Sequence, residues 1–180
     1  VATACVSSAA TIDSALTDVR KTTNLTEDQY QSLKESAVEL SKTQPVDAST
    51  ILSLEGLGAQ LGWNDDKLQG FAQTVSGLDI ATDMDADTAA TNLAQFANIT
   101  GMAQDKAENY ASATTESKIS DMSMGMASAG SQAGMSQADI LGIAAATASL
   151  GMEAQAGGTA FSKTVNEIGT QVSTNGDKLQ

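Results

Sequence analysis

The 180-residue chain has no histidine, a single cysteine (Cys5) and a single proline (Pro45), and its aromatics are one Trp, two Tyr and three Phe. Without histidine there is no Ser-His-Asp or Cys-His nucleophile, no imidazole-ligated zinc and no neutral-pH imidazole switch. A lone Cys5 leaves no intrachain disulfide, no thiolate cage for a metal and no CxxC redox pair. Basic residues are scarce as well: 9 Lys and Arg stand against 22 Asp and Glu, giving a net charge of -13 and an isoelectric point near 4.1. A phosphate backbone repels such a chain, so an ordinary nucleic-acid-binding module is not expected. Long apolar runs are missing; residues 140–152 (ILGIAAATASLGM) fall short of the roughly 18 that a spanning helix requires. Val1 is not an initiator Met and no basic segment follows it. Residues 176–180 (GDKLQ) read as a helix opening that is then cut. The expectation is a piece of a longer polypeptide.

What is present is mostly small: Ala, Ser, Thr and Gly make up nearly half of the chain. The length suits one domain or two small ones, burying roughly 70% of the unfolded surface. Helices with such side chains pack either closely, through shallow contacts, or weakly. Helical spacing recurs throughout, with no run of alternating β-branched and polar residues. Ile12, Leu16 and Val19 line one face of a helix over 8–21. Thr26 with Gln29 reads as a capping box, Leu25 with Tyr30 as its staple, and Tyr30, Leu33, Ala37 and Leu40 as the inner face. Beyond Pro45, Asp47 caps a third helix, and a fourth starts at Asn64, with Asp65 and Asp66 in its first turn and Trp63 and Leu68 as staple. Further helices are expected over 85–99, 104–113, 115–133, 136–150 and 159–173. The fold class is all-α, a bundle of about eight or nine short helices joined by Gly-containing turns, with sub-units at 1–100 and 101–180.

Four joints share one grammar. Gly62-Trp63, Gly101-Met102, Gly134-Met135 and Gly151-Met152 each place a glycine after a helix and a large apolar residue after the glycine. Glycine supplies the left-handed residue that ends a helix, and the apolar residue closes back on it or staples the next. Residues 46–63 and 135–152 also align at an offset of 89, with Ile51/Ile140, Leu52/Leu141, Ala59/Ala148, Leu61/Leu150 and Gly62/Gly151 coinciding. Duplication and a shared hairpin grammar both account for this.

Candidate motifs reduce to structural readings. Asp83, Asp85 and Asp87 alternate as in a calcium loop, but Thr88 and Ala94 stand where an EF-hand needs Gly and a bidentate Glu, so Asp85 reads as a helix cap. Residues 151–159 (GMEAQAGGT) lack the lysine, the glycine spacing and the preceding strand of a phosphate loop; Gly157-Gly158 reads as a break or bend ahead of a Thr159 cap. Met122 and Met126 share a face, as core filling or as part of a soft partner surface with Met124 and Met135. Glu35, Glu39, Glu55, Glu108, Glu116, Glu153 and Glu167 read as solvated. No catalytic, cofactor-binding or metal-ligating residue is assigned, and the chain is expected not to be an enzyme.

Residues 114–168 (TTESKISDMSMGMASAGSQAGMSQADILGIAAATASLGMEAQAGGTAFSKTVNEI) resemble the core region of phage tail tape measure proteins, in the TTES, DIL, LGMEA and GGTAFSK segments above all. Upstream, ALTDVRKTT, EDQYQSLKESAVELSKTQPV, LGAQLG and VSGLDIATDMDADTAATNLAQFANITG fit the same family. One departure is the short segment 109–113 (NYASA), where family members carry more chain. The resemblance implies a structural role: a long helical protein around which the tail tube polymerises, which sets tail length and leaves the tube ahead of the DNA. It implies the tail tube protein, assembly chaperones and tail tip proteins as partners, several copies together in the tail lumen of the virion, and the bacterial cytoplasm during assembly. It implies no cofactor and no catalytic residues. Competing expectations are a membrane-interacting or channel-forming module built on residues 140–152, with host membrane contact at ejection, and a non-phage helical interaction domain.

Overall fold

In the computed structural model the backbone of residues 2–175 and the side chains of residues 10–175 are described. The Cys5 side chain and the helix opening read at 176–180 lie outside these. Among the described residues there are nine α-helices and no strand: α1 (Ala2–Thr22), α2 (Glu27–Thr43), α3 (Ala48–Gln60), α4 (Leu68–Ala81), α5 (Ala86–Thr100), α6 (Ala107–Ala113), α7 (Ser117–Gln132), α8 (Gln137–Ser149) and α9 (Ala154–Asn175). Short 3-10 turns, Asp65–Lys67 and Gln104–Lys106, precede α4 and α6. The all-α expectation holds. The chain divides into two compact units, Val1–Ala94 and Gln95–Gln180, and the boundary falls within α5.

The helix starts follow from side chains that satisfy the free backbone N–H groups of a first turn. At α2 the Gln29 N–H donates to the Thr26 hydroxyl (3.3 Å) while the Thr26 N–H donates to Gln29 Oε1 (2.8 Å), which is the capping box expected. Ser136 and Asp139 make the same reciprocal pair at α8. Asp85 accepts from the Thr88 N–H (3.0 Å) and hydroxyl (2.7 Å), so the acidic run 83–87 serves α5 as a cap. Asp47 caps α3, accepting from the Ser49 hydroxyl and from the Thr50 N–H (3.0 Å) and hydroxyl (2.8 Å). Those bonds, led by that of Ser49, hold its carboxyl down to about 2. A depressed carboxylate stabilises the fold at pH values above its unfolded pKa and loses that contribution as pH falls toward 2. Asp47→Ala should therefore cost about 1 kcal/mol at pH 7, read as a lower urea midpoint, and much less at pH 2.

Three boundaries depart from the sequence reading. α1 starts at Ala2 rather than near residue 8. The fourth helix does not start at Asn64: the acids Asp65 and Asp66 lie in the 3-10 turn and the α-helix begins at Leu68. α9 begins at Ala154, not Thr159, because Gly157-Gly158 lies within the helix and does not break it ahead of a Thr159 cap.

The four glycine joints are as expected. Gly62, Gly101, Gly134 and Gly151 have φ of 87°, 66°, 76° and 80°. After the first three, the following apolar residue turns its N–H back onto the helix it leaves: Trp63 to Gly58 O (2.9 Å), Met102 to Ala97 O (2.9 Å) and Met135 to Gly130 O (3.0 Å). This is the Schellman closure.

In unit 1, α3 packs against α1, α2 and α4. Its glycines set the distances. A Cβ on Gly56 would stand 3.0 Å from Val19 Cγ2, and one on Gly58 would stand 2.6 Å from Phe71 Cδ1. Phe71 in turn stacks obliquely on Trp63 (4.8 Å between ring centroids). α1 and α2 are tied outside the core by Arg20, bidentate on Glu27 (2.5 and 2.7 Å) and 4.3 Å over the Tyr30 ring, and by Lys34 on Asp13 (2.6 Å).

Unit 2 repeats this plan. α3 and α8 differ by 89 residues at both ends (48 to 137, 60 to 149), and the two positive-φ glycines, Gly62 and Gly151, keep the offset. The four inner residues of α2, Tyr30, Leu33, Ala37 and Leu40, all buried as expected, map onto Ile119, Met122, Met126 and Ala129 of α7, which are buried too. Leu16 and Val19 of α1 find counterparts in the buried Ala107 and Tyr110 of α6, two residues further displaced. Four helices in the same order, three of them matching in burial, and one shared glycine joint support duplication over a shared hairpin grammar. The copies are unequal: α6 is a much shortened α1, and α4, buried along Phe71, Val75 and Leu78, is matched by an exposed stretch of α9.

Candidate functional site

The ionisable residues singled out from the sequence do not converge. Glu35, Glu39, Glu108, Glu116, Glu153 and Glu167 are exposed, and among the described residues no group of three His, Cys, Asp or Glu is placed to hold a metal ion. Glu55 is the correction: it is fully buried in α3 rather than solvated. Its Oε1 receives a long bond from the Ser36 hydroxyl (3.5 Å), and its Oε2 has no hydrogen-bond partner. Burial pushes the carboxyl up to about 8 against that weak opposing bond. A neutral carboxylic acid in a packed helix interface, with no second titratable group placed beside it, strains the core and offers no acid–base pair. The signal for its burial was in the spacing, since Glu55 follows Ile51 by one turn on the apolar face of α3 and aligns with Ala144, also buried.

The second buried polar contact lies in unit 2. Tyr110, wholly buried and tilted against Phe96 (5.1 Å), shares a hydrogen bond with Ser120 (2.8 Å), and burial raises its phenol. This ties α6 to α7.

The most distinctive geometry is the crossing of α7 and α9. The two helices run parallel, since α8 returns between them. Gly125 faces Gly158, and the backbones are so near that a Cβ on Gly158 would stand 3.0 Å from Gly125 Cα. Ser162 Oγ donates to Gly125 O (3.1 Å). Gly157 lies under the Met122 thioether and Thr147, where a Cβ would meet Met122 Sδ at 3.0 Å. Met122 and Met126 are thus core, while Met124 and Met135 are half-buried. Lys118 reaches Glu153 (3.4 Å) at the near end. Beyond the crossing the helices part, leaving a cleft of ≈ 520 Å³ walled by Ala129 and Ala133 on one side and Val165, Gly169 and Ser173 on the other. None of the described residues lining it is ionisable. It can receive a side chain or a helix edge, but it cannot move a proton.

Residues 140–152, the most apolar run, are used inward only in part: Ile140, Leu141 and Ala144 are buried in unit 2, whereas Leu150 and Met152 are exposed. Ile140 fills the space over Gly130, where a Cβ would stand 2.8 Å from its Cγ1. No described helix is long and apolar enough to cross a membrane.

No curated protein and no solved structure matches the chain. A family model does: that of the phage-related minor tail proteins matches residues 34–180, which takes in most of unit 1 and all of unit 2. The chain belongs to the phage-related minor tail protein family, and is a component of a phage tail.

Proposed function

We propose that this chain is part of the core region of a tape measure protein. On this reading it helps to set tail length, scaffolds polymerisation of the tail tube and leaves the tube ahead of the genome at infection. Its partners are the tail tube protein, the assembly chaperones, the tail tip proteins and further copies of itself, in the tail lumen of the virion and, during assembly, in the host cytoplasm. Its work is mechanical rather than enzymatic, without cofactor. Family membership over residues 34–180 is the observation that carries the reading, and it sets aside the non-phage alternative. Two physical features fit it. Helices built from small residues bury little area each, at about 25 cal/mol per Å², so they separate at modest cost. A net charge of -13 keeps the chain from adhering to packaged DNA, so no direct nucleic-acid contact is assigned to it. The rival membrane-active reading has less support, because Ile140, Leu141 and Ala144 of the segment it relies on are buried in unit 2, although Leu150 and Met152 are exposed.

The test is an in-frame deletion of residues 95–180 from the tail gene that encodes the chain. An extended helical ruler rises about 1.5 Å per residue, so the mutant tails should be shorter by about 130 Å in electron micrographs. Tails of unchanged length would refute the ruler.

A further inference from the structure

α9 is a poor helix in its own right. Gly157, Gly158 and Gly169 oppose the helical state, and four threonines and two valines oppose it less strongly. Its first turn carries no acidic residue and its last turn no basic one, so nothing at either end complements the helix dipole. Lys163 and Glu167 are one turn apart, but in the less favourable order. A helix of this composition persists only where packing holds it.

That packing is slight. Gly157 and Gly158 are the buried residues of α9, and Phe161, Ser162 and Val165 are half-buried. The glycines bring two backbones together at Gly125 without burying a side chain of their own. Past the crossing, Ile168 and Val172 are more than half exposed. The counterpart in unit 1 is anchored instead, since α4 buries Leu68, Phe71, Val75 and Leu78. A segment with few buried apolar contacts opens at a lower free energy than its surroundings.

The joint that carries α9 also differs from the other three. At Gly62, Gly101 and Gly134 the next residue's N–H closes back on the helix, and Trp63 and Met102 are buried. At Gly151 no such closure forms among the described residues, and Leu150 and Met152 are exposed. This turn has the left-handed glycine without the clasp. The rest of unit 2 is tied together independently of α9. Ile140 fills the space over Gly130 between α7 and α8, and Tyr110 bonds Ser120 between α6 and α7. Beneath α9 lies Met122, wholly buried, whose Sδ a Cβ on Gly157 would meet at 3.0 Å.

We propose that α9 is a strap that lifts from α7 on the Gly151 joint while α6, α7 and α8 stay folded, and that its lifting uncovers the Met122 thioether. α9 is then the first element to part from unit 2, and it leaves without melting the helices it covered. The strap operates whether or not the chain sets tail length, so it stands or falls apart from the ruler.

Native-state hydrogen exchange of the whole chain at pH 7, followed by NMR, tests this. Corrected for intrinsic rates, the amides of residues 158–165 should exchange at least about a hundredfold faster than the buried amides of α7 and α8. Gly158→Ala should speed them about fivefold. Ile140→Val loosens the contact between α7 and α8, which the strap-open state retains. It should therefore speed α7 and α8 severalfold and leave residues 158–165 unchanged. A second readout is chemical, because peroxide converts an accessible thioether to its sulfoxide. Met122 should be oxidised more slowly than the exposed Met152, about fivefold faster in Gly158→Ala, and no faster in Ile140→Val. Fraying of the free end alone would leave residues 158–165 as slow as α7. That result, an equal acceleration of α9 by Ile140→Val, or a Met122 rate indifferent to Gly158→Ala would each overturn the strap.

Discussion

Gly158→Leu should destabilise unit 2 by about 3 kcal/mol or more, enough to unfold α9 from α7 in a large share of molecules at room temperature. The reason is that the obstacle is backbone: a Cβ at this position meets Gly125 Cα at 3.0 Å and its carbonyl carbon at 3.2 Å, and a main chain inside a helix has no rotamer to escape into. Even Gly158→Ala should cost about 1 kcal/mol net, although alanine is worth about 1 kcal/mol more than glycine in a helix interior. Gly142→Ala supplies the comparison of opposite sign. That glycine is also helical and also in unit 2, but a Cβ there meets nothing within 4 Å, so the substitution should stabilise by up to about 1 kcal/mol. Thermal melts of the three variants followed by circular dichroism check all of this, and equal melting temperatures for Gly158→Ala and Gly142→Ala would remove the glycine crossing from the account.

Replacing Glu55 by methionine should stabilise unit 1 by about 3 kcal/mol at pH 7 to 8 and by little at pH 4. In the folded chain burial holds this carboxyl up to about 8, whereas the unfolded chain releases the proton near 4.5. The folded state therefore binds more protons between those values, and stability falls as pH rises through that window, levelling off above about 8. At pH 7 the accumulated loss is about 3 kcal/mol. Methionine keeps the length, drops the charge and removes the unpartnered Oε2. Glu55→Gln should abolish the slope while recovering less stability, because its amide stays partly unpartnered. Urea denaturation of wild type and both variants at pH 5, 7 and 9 isolates the group, since the other carboxylates cancel in the difference. An unchanged difference across that range would mean that Glu55 is not the cause. If the difference behaves as expected, the core of unit 1 carries a built-in weakness at neutral pH.

Features fixed by neighbouring residues were legible in the sequence. Thr26 with Gln29, Asp47 and Asp85 as caps, the four positive-φ glycines and the stripe Tyr30, Leu33, Ala37 and Leu40 all depend on residues within about two turns of one another. Features set by contacts distant in sequence were not. Gly157-Gly158 reads as a break because propensity weighs glycine against the helix it sits in, while the structure uses the pair for the helix it sits against. Glu55 reads as solvated by residue type and is buried by position. The duplication was visible only between α3 and α8, where Ile, Leu and Gly recur. Between α2 and α7 the buried positions coincide but Tyr, Leu, Ala and Leu have become Ile, Met, Met and Ala, so only burial reveals the match.

If the proposed mechanical role is right, the helices separate at modest cost, unit 2 before unit 1. Unit 1 encloses Trp63, Phe71, Leu52 and Leu68, whereas unit 2 relies on Phe96, Tyr110 and methionines and leaves α9 half uncovered. Trp63, the single tryptophan, lies in unit 1, so its fluorescence reports that unit while helical ellipticity reports both. In urea at pH 7 and micromolar concentration, ellipticity should begin to fall before Trp63 fluorescence changes, and the summed unfolding free energy should stay below about 15 kcal/mol. Coincident transitions with a total well above that value would contradict the account.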